Sequence, residues 1–326
     1  MSVLVIGAAG HVGGNLVRSL LAAGRHVRAA VYRDERALEG LDLERVRLDV
    51  LDPASLVRAL EGIEVVYHLA AVIAIAGESE GRVEEVNVRG PRNVATACLD
   101  AGVRRLVHFS SIHAFEQLPL DRPLDETRGP PVGRDAPTYD RTKAAGEREI
   151  LAAVARGLDA VIVNPTSVLG PYDFKPSPMG DVLLRLGRGT IPALVPPGFD
   201  FVDVRDVVAG AFAAEERGRT GERYLLPGHY ASFPALAALM QKASGRRPPR
   251  LVAPIWLARV GAPFLGAWCK VTGGRPLYTN ESLSILSRSH ADIRGDKAAR
   301  ELGFRARPLE ETVRDTWDWF RAAGMA

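Results

Sequence analysis

The sequence predicts an α/β architecture: a doubly wound parallel sheet with helices on both faces, joined to a smaller C-terminal subdomain. Three observations carry this. Short apolar strand runs alternate with helical segments through the first half of the chain. A glycine-rich turn links the first strand to the first helix. After Pro165 the alternation loosens, and Pro and Gly become frequent between Gly170 and Gly198.

"VLVIG" (Val3–Gly7) is an apolar strand run, and a helical segment follows to Ala23. "HVRAAVYR" (His26–Arg33) and "RVRLDV" (Arg45–Val50) read as the next strands. In "DPASLVRALEG" Asp52 stands as N-cap with Pro53 at the first helical position, and Gly62 ends the helix. "VVYHLA" (Val65–Ala70) is strand-like. A helix then runs through "EEVNVRGPRNVATACLDAG", with Pro91 as a kink. "RLVHFSS" (Arg105–Ser111) is another strand. The helix of "YDRTKAAGEREILAAVA" leads to the strand "DAVIVNP" (Asp159–Pro165). "FVDVRDVVAGAFAAEE" (Phe201–Glu216) reads as a strand and helix returning to the sheet. "PLEETVRDTWDWFRAAG" is an amphipathic terminal helix with Trp317 and Phe320 on one side. The sheet domain is therefore expected over residues 1–165 plus about 200–218. A discontinuous, substrate-facing subdomain takes about 166–199 and 219–326.

Composition narrows the class. The 326 residues are 47% hydrophobic and 25% charged, as in an ordinary globular protein. Basic residues (42) exceed acidic ones (39) by three, and no long basic run interleaves with aromatics, so no nucleic-acid partner is expected. The densest cluster, "GRRPPR" (Gly245–Arg250), reads as a solvated loop. Cys98 and Cys269 make neither a metal motif nor a disulfide framework, which points to a reducing cytoplasm and no metal site. "MSVLVIGAAG" lacks a basic leader and a small-residue cleavage site, so no secretory signal is read. Pro254, Arg259, Pro263 and Lys270 interrupt the apolar stretch Leu251–Gly273, so it predicts no membrane span. Trp256, Val260, Phe264 and Trp268 recur every four residues within it, which predicts one buried face of a core or pocket-lining helix.

"GAAGHVG" (Gly7–Gly13) has the setting of a phosphate cradle. Glycines let the backbone turn sharply and approach a pyrophosphate, whose charge sits at the helix N-terminus. Gly7, Gly10, His11, Val12 and Gly13 are thus dinucleotide-binding candidates, and the sheet is of the Rossmann type. At the end of the second strand an acidic residue would bind a ribose 2′-hydroxyl, whereas an arginine accommodates a 2′-phosphate. Arg33 stands there, with Asp34 and Arg36 beside it, so NADP(H) is preferred and NAD(H) is the alternative. Asp49 and Val50 of "LDVLD" are placed at the adenine edge; a strand-end cap is the other reading of Asp49.

Tyr139 and Lys143 in "TYDRTK" lie four apart and so share one helix face, with Cβ atoms roughly 5–6 Å apart. An ammonium so placed favours a phenolate and lowers the tyrosine pKa, allowing proton exchange with a substrate oxygen. The preceding strand ends in "FSS", at the carboxyl edge where open α/β sheets hold ligands. Ser111 is placed to hydrogen-bond the same oxygen, and Ser110, one pleat away, to face the cofactor. His113 and Phe174 are candidate substrate contacts, and Asp173 and Lys175 pocket-lining candidates. A structural hydrogen bond is the other reading of His113, and an ordinary exposed loop that of residues 173–175. His68 lies within a strand and reads as core.

With these residues in place, the chain resembles the extended short-chain dehydrogenase/reductase family, the NAD(P)-dependent epimerase/dehydratase superfamily, over nearly its whole length. The resemblance rests on "GAAGHVG", "LDVLD", "HLAA" (His68–Ala71), "NVRGPRN" (Asn87–Asn93), "HFSS", "YDRTK" and "NPTSVLGP" (Asn164–Pro171). It implies that Ser111, Tyr139 and Lys143 are the catalytic residues, with Lys143 also holding the nicotinamide ribose. It implies that Leu69, Ala70 and Ala71 line the dinucleotide path and that Pro165, Thr166 and Ser167 border the nicotinamide. Asn87 takes a structural or proton-relay part. "RLVHFSS", Arg33 and "VNPTSVLGP" look most like the dihydroflavonol-reductase-like branch, which reduces aldehydes and ketones with NADPH. "SSIHAFEQ" departs from the pattern by lacking the glycine often found there, so the plant substrate is not carried over. The expected activity is reduction of a small or medium aldehyde or ketone, or oxidation of the alcohol. The rivals are an NAD-dependent nucleotide-sugar epimerase/dehydratase and a non-enzymatic dinucleotide sensor. The resemblance also suggests a homodimer through helices of the sheet domain.

Overall fold

Strand β1 (Ser2–Ile6) shows why the sheet has two covered faces. Val3 and Val5 point into one core with Leu16, Leu20 and Val207, while Leu4 and Ile6 point into another with Leu56, Val94 and Ile150. Its residues alternate by strand pleat, and both sets are apolar, as a sheet buried on both sides requires. Helix α1 (His11–Ala22) covers the first face; α2 (Pro53–Leu60), α4 (Gly90–Asp100) and α5 (Thr138–Val154) cover the second. Asp52 caps α2 by accepting from the Ala54 amide at 3.0 Å, as the sequence predicts.

The other strands are β2 (His26–Val31), β3 (Glu44–Arg47), β4 (Val65–His68), β5 (Arg105–Phe109), β6 (Ala160–Pro165), β7 (Ser167–Leu169), β8 (Gly198–Asp203), β9 (Arg223–Leu226) and β10 (His229–Ser232). The computed structural model describes residues 1–72, 80–133, 136–261 and 280–326. Among these, seven strands form one sheet in the order β3-β2-β1-β4-β5-β6-β9, every pairing parallel. The order reverses direction between β1 and β4, which opens a crevice at their carboxyl ends. The doubly wound Rossmann-type sheet is as the sequence predicts.

Two strand assignments differ from the expected division. β8, expected to rejoin the main sheet, instead lies between β10 and β7 in a three-stranded sheet. The helix after it, α7 (Val204–Arg217), does pack on the main sheet through Val207, Val208 and Ala211. β9, placed beyond the boundary at residue 219, forms the seventh strand of that sheet. Its four residues are too short to show a period.

The helix around Pro91 is divided. α3 (Glu80–Glu84) and α4 (Gly90–Asp100) flank a π-helical turn over Glu85–Arg89. Proline has no N–H for the carbonyl four residues back, and its ring crowds that carbonyl, which here is Asn87 O. The widened turn is the local answer.

α5 (Thr138–Val154) is the helix expected over "YDRTKAAGEREILAAVA", and α6 (Pro178–Arg188) and α8 (Phe233–Ser244) follow in the second half of the chain. The next helix, α9 over residues 255–261, corrects the periodicity reading. Trp256 and Val260 are 66% and 59% exposed, so their shared face is turned to solvent; Ile255 and Ala258 make the inward contact. Phe264, Trp268, Cys269 and Lys270 lie outside the described residues. α10 (Asn280–Ser287), α11 (Asp296–Leu302) and α12 (Leu309–Ala322) complete the chain. α6, α8, α10 and α12 enclose a separate core, in which Trp317 and Phe320 are buried as expected.

Candidate active site

β2, β4 and β5 each end two residues before the corresponding apolar run does in the sequence. The leftover residues, Tyr32–Arg33, Leu69–Ala70 and Ser110–Ser111, are released from the ladders at the carboxyl edge of the sheet. The Leu69 and Ser110 amides make one last bond, to Ile6 O and Val163 O, both at 2.8 Å. The side chains that border the crevice are therefore delivered by strand termination.

The turn after β1 requires its glycines. Gly7 has φ +93°, and a Cβ there would lie 2.9 Å from Ala70 N and 3.0 Å from the Leu69 carbonyl carbon. A Cβ on Gly13 would meet Gly7 O at 2.1 Å. Gly10 is the N-cap of α1 and supplies no side-chain cap, and the first turn carries no acidic residue. Backbone amides there stay available to an anion, and the helix dipole favours one. The Ser110 hydroxyl is buried without a hydrogen-bond partner among the described residues. An open helix N-terminus, a glycine turn pressed on Leu69–Ala70 and an orphaned hydroxyl fit an extended dinucleotide. Gly7, Gly10, Val12 and Gly13 would hold its pyrophosphate, and Ser110 its nicotinamide half. The His11 imidazole is engaged elsewhere: Nε2 lies 3.2 Å from Gly170 O and 3.1 Å from Pro171 O. With Asn15 donating to Pro171 O at 3.0 Å, it ties the loop after β7 to α1.

At the other end of the crevice, Arg33 is exposed, with its guanidinium 4.9 Å from the Tyr32 ring centroid. Asp34 is held by Arg36 at 2.6 Å, and that hydrogen bond lowers its carboxyl to about 2. The carboxylate beside Arg33 is thus already engaged by its own neighbour. Val31, Arg33, Glu35 and Arg47 border a surface cavity of about 440 Å³. Asp49 spends its carboxylate on the Leu51 amide at 2.9 Å, the strand-end cap. Val50 is buried beneath Gly90.

Ser111, Tyr139 and Lys143 converge. The Ser111 hydroxyl caps the 3₁₀ turn Ile112–Ala114, accepting from the His113 amide at 3.3 Å, and lies near enough to the Tyr139 phenol to draw its pKa down. Lys143 is buried and donates to Phe109 O at 3.0 Å. The electrostatics correct one expectation. Tyr139 is not acidified here: burial pushes it up to about 12, the Ser111 hydrogen bond pulls the other way, and the Asp140 charge adds to the rise. Lys143 is the group that moves down, to about 8, because burial disfavours its charge; Glu147, one turn on, opposes this. Its ammonium is spent on a backbone carbonyl rather than on the phenol.

Around these three lies a supporting set, in which the motifs had given a part only to Asn87. Asn164 donates to Ser111 O at 3.0 Å and to Glu147 Oε1 at 2.6 Å, while Arg223 lies 3.5 Å from Glu147 Oε2. The four-residue step from Lys143 to Glu147 was the available signal; the contact with β9 had none. Asn87 acts as a clamp. Its side chain pairs with the Val72 amide (2.8 Å) and carbonyl (2.9 Å) and reaches Thr142 at 3.3 Å. Its main-chain carbonyl, displaced by Pro91, presses on α5 where a Cβ at Gly146 would approach to 2.4 Å.

The substrate-side candidates divide. His113 stands at the site: its ring is edge-on to Tyr139 at 5.4 Å, with Nδ1 3.0 Å from Asp140 Oδ1. Phe174 is committed to packing. It lies against Trp319 (5.1 Å), Tyr172 (6.2 Å) and the Arg18 guanidinium (5.2 Å). Asp173 accepts from the Ser177 amide at 2.7 Å ahead of α6, and Lys175 lies near enough to Asp34 to lower its carboxyl further. The Thr166 hydroxyl, expected at the nicotinamide, donates to buried Asp200 at 2.6 Å. Pro165 is the last residue of β6 and Ser167 the first of β7. Ala71 is exposed, beside the clamped Val72. His68 is core: its Nδ1 lies 3.1 Å from that of His108, and burial lowers it to about 3.

Comparison with known proteins gives the family. The model of the NAD dependent epimerase/dehydratase family matches residues 3–226. The chain is 38% identical to sterol demethylase protein B of Methylococcus capsulatus, over 100% of both chains. It is 33% identical to a Synechocystis protein provisionally named a dihydroflavonol 4-reductase, over 98% of this chain and 94% of that one. Among solved structures, that of gox2253 superposes with a TM-score of 0.85 at 32% identity, covering 99% of each chain. PA4631, a nucleoside-diphosphate-sugar epimerase from Pseudomonas aeruginosa, does so at 0.78 and 27%, covering 100% of this chain and 99% of its own. The chain thus belongs to the NAD dependent epimerase/dehydratase family, among the extended short-chain dehydrogenases/reductases, and is an NAD(P)-dependent enzyme of the oxidoreductase type.

Proposed function

We propose that the protein is an NADP(H)-dependent reductase of a carbonyl group on a largely apolar carbon skeleton, working through Ser111, Tyr139 and Lys143. The observation that carries this reading is the convergence of the Ser111 hydroxyl on the Tyr139 phenol, near enough to draw the phenol's pKa down, one turn from buried Lys143. Two hydroxyls meeting at one point can both bond a single substrate oxygen. When bound, the dinucleotide supplies the hydride. Tyr139, held protonated at neutral pH by burial, gives its proton to that oxygen. Ser111 donates to the same oxygen and steadies the charge gathering on it. Lys143, moved down to about 8, can pass a proton on toward the phenol once its bond to Phe109 O is exchanged.

Arg33 supports the 2′-phosphate. It is exposed at the end of β2, and the nearby carboxylate is engaged by Arg36. The match to a protein named for sterol demethylation supports an apolar substrate. The test is turnover by Tyr139→Phe with NADPH and a panel of hydrophobic ketones. Loss of turnover with unchanged dinucleotide binding supports the reading, and retained turnover removes it. The epimerase reading keeps one support, the likeness to PA4631. It would be favoured by tightly co-purifying NAD and by sugar-nucleotide conversion without added cofactor.

A further inference from the structure

Residues 223–280 contain eight lysines and arginines and not one aspartate or glutamate. This stretch carries a net charge of +8 in a chain whose total is +3, so the rest is at −5. A 58-residue gap among 39 acidic residues is a property of the sequence that the dinucleotide fold does not use. The structure shows where part of that charge goes. Arg246, Arg247 and Arg250 are exposed and have no ion pair among the described residues. Directly after them the chain presents Leu251, Val252, Trp256, Leu257 and Val260, all exposed.

α9 is anchored from beneath. Ile255 and Ala258 pack on the subdomain core, and the Ala253 amide and Leu251 carbonyl bond Leu194 at 2.8 and 2.9 Å. The outward face is therefore held in place, with an indole, two leucines and two valines side by side. Monomer surfaces seldom leave such a cluster bare without a partner for it.

We propose that this face docks on an anionic lipid surface, with α9 lying in the headgroup layer and the arginines over the lipid phosphates. The combination is that of an interfacial helix: an apolar face bearing tryptophan, rimmed by arginine, with no span. No helix among the described residues is long and apolar enough to cross a membrane. A second copy of the chain fits poorly, because a two-fold contact through this face would set the same unpaired arginines against each other. A nucleic acid would satisfy the arginines but leave the leucines and valines without apolar partners.

The test is co-sedimentation of the full chain with vesicles of phosphatidylcholine alone and of an equimolar mixture with phosphatidylglycerol. Binding is expected only to the mixed vesicles, weakening as salt rises. Replacing the three arginines together by glutamine should lower partitioning by roughly a hundredfold. Trp256→Ser with Val260→Ser should abolish it, while both variants melt like the parent and bind dinucleotide equally. Tryptophan emission should shift to the blue on binding, and the shift should be lost in Trp256→Phe. The proposal is overturned if the parent fails to sediment with mixed vesicles, or if the variants sediment like the parent. It is equally overturned if the apolar replacements convert a dimer to a monomer with no change in lipid binding, which would give the face to a second copy. Binding to single-stranded RNA that is indifferent to Trp256 would give the arginines to nucleic acid.

Discussion

Two helices of this protein carry the same four-residue period and use it in opposite ways. On α5, Tyr139, Lys143 and Glu147 line one face, and that face turns inward onto Ser111, Phe109 O and Asn164. On α9, Trp256 and Val260 line one face, and it turns outward to solvent. The polar series faces inward, with Lys143 and Glu147 buried, and the apolar series is bare, the reverse of what each composition suggests. What separates them is the neighbour. α5 is gripped by the π turn of Asn87 on one side and by β5 and β6 on the other, so its polar groups find partners inside. Among the described residues, α9 packs on the core through Ile255 and Ala258.

The contrast can be tested by changing each helix at its working residues. The largest effect is expected from Tyr139→Phe, which removes the proton donor and should lower turnover by about a thousandfold while leaving dinucleotide affinity unchanged. Next comes the pH response of Lys143. Its folded pKa, about 8, lies below the ordinary lysine value of 10.5, so between these values the unfolded chain holds a proton that the folded one does not. Stability of the dinucleotide-free protein should therefore rise with pH through that window, by on the order of 3 kcal/mol from this group. Denaturant titrations of Lys143→Met should lack the rise. Tyr139 acts above this, with the opposite sign: its folded value near 12 exceeds the usual 10, so stability falls as pH climbs between them.

Gly146→Ala forces a Cβ to within 2.4 Å of Asn87 O and should cost roughly 2 kcal/mol in a denaturant midpoint experiment. Arg33→Ala should raise the Michaelis constant for NADPH about tenfold and leave that for NADH nearly unchanged, a loss of about 1.4 kcal/mol read from steady-state kinetics. Smallest of all is Trp256→Ser. An indole lying on a solvated face should contribute less than about 0.5 kcal/mol to folding, and a calorimetric melt close to the parent's would show it. A drop of several kcal/mol there would mean that α9 is a core helix after all.

Much of this was legible beforehand. The parallel sheet followed from alternating apolar runs, because a strand covered on both faces has to be apolar at every position. The cradle followed from glycine spacing, because no other residue lets the turn after β1 approach Leu69 and Ala70. Ser111, Tyr139 and Lys143 followed from motif and order, and the structure brings them together. Less legible were the fates of particular groups. Thr166 bonds Asp200, Phe174 packs on Trp319, and His11 ties down the loop at Gly170; each partner lies more than thirty residues away. Spacing along one element carries no information about a contact between two.

The same limit governs the site's electrostatics. A lysine one turn from a tyrosine reads as a device for lowering the phenol, and the two do share a helix face. Yet whether the ammonium reaches the phenol depends on what else lies within its reach, and here Phe109 O does. Local spacing and apolar periodicity specify elements and which residues share a face, because those follow from backbone geometry within a dozen residues. Burial, long-range partners and the protonation they impose exist only after distant segments have packed. For that reason the amino-acid order alone led to the sheet, the glycine turn and the meeting of Ser111, Tyr139 and Lys143. The raised phenol, the clamp of Asn87 on α5 and the outward turn of α9 came from the folded chain.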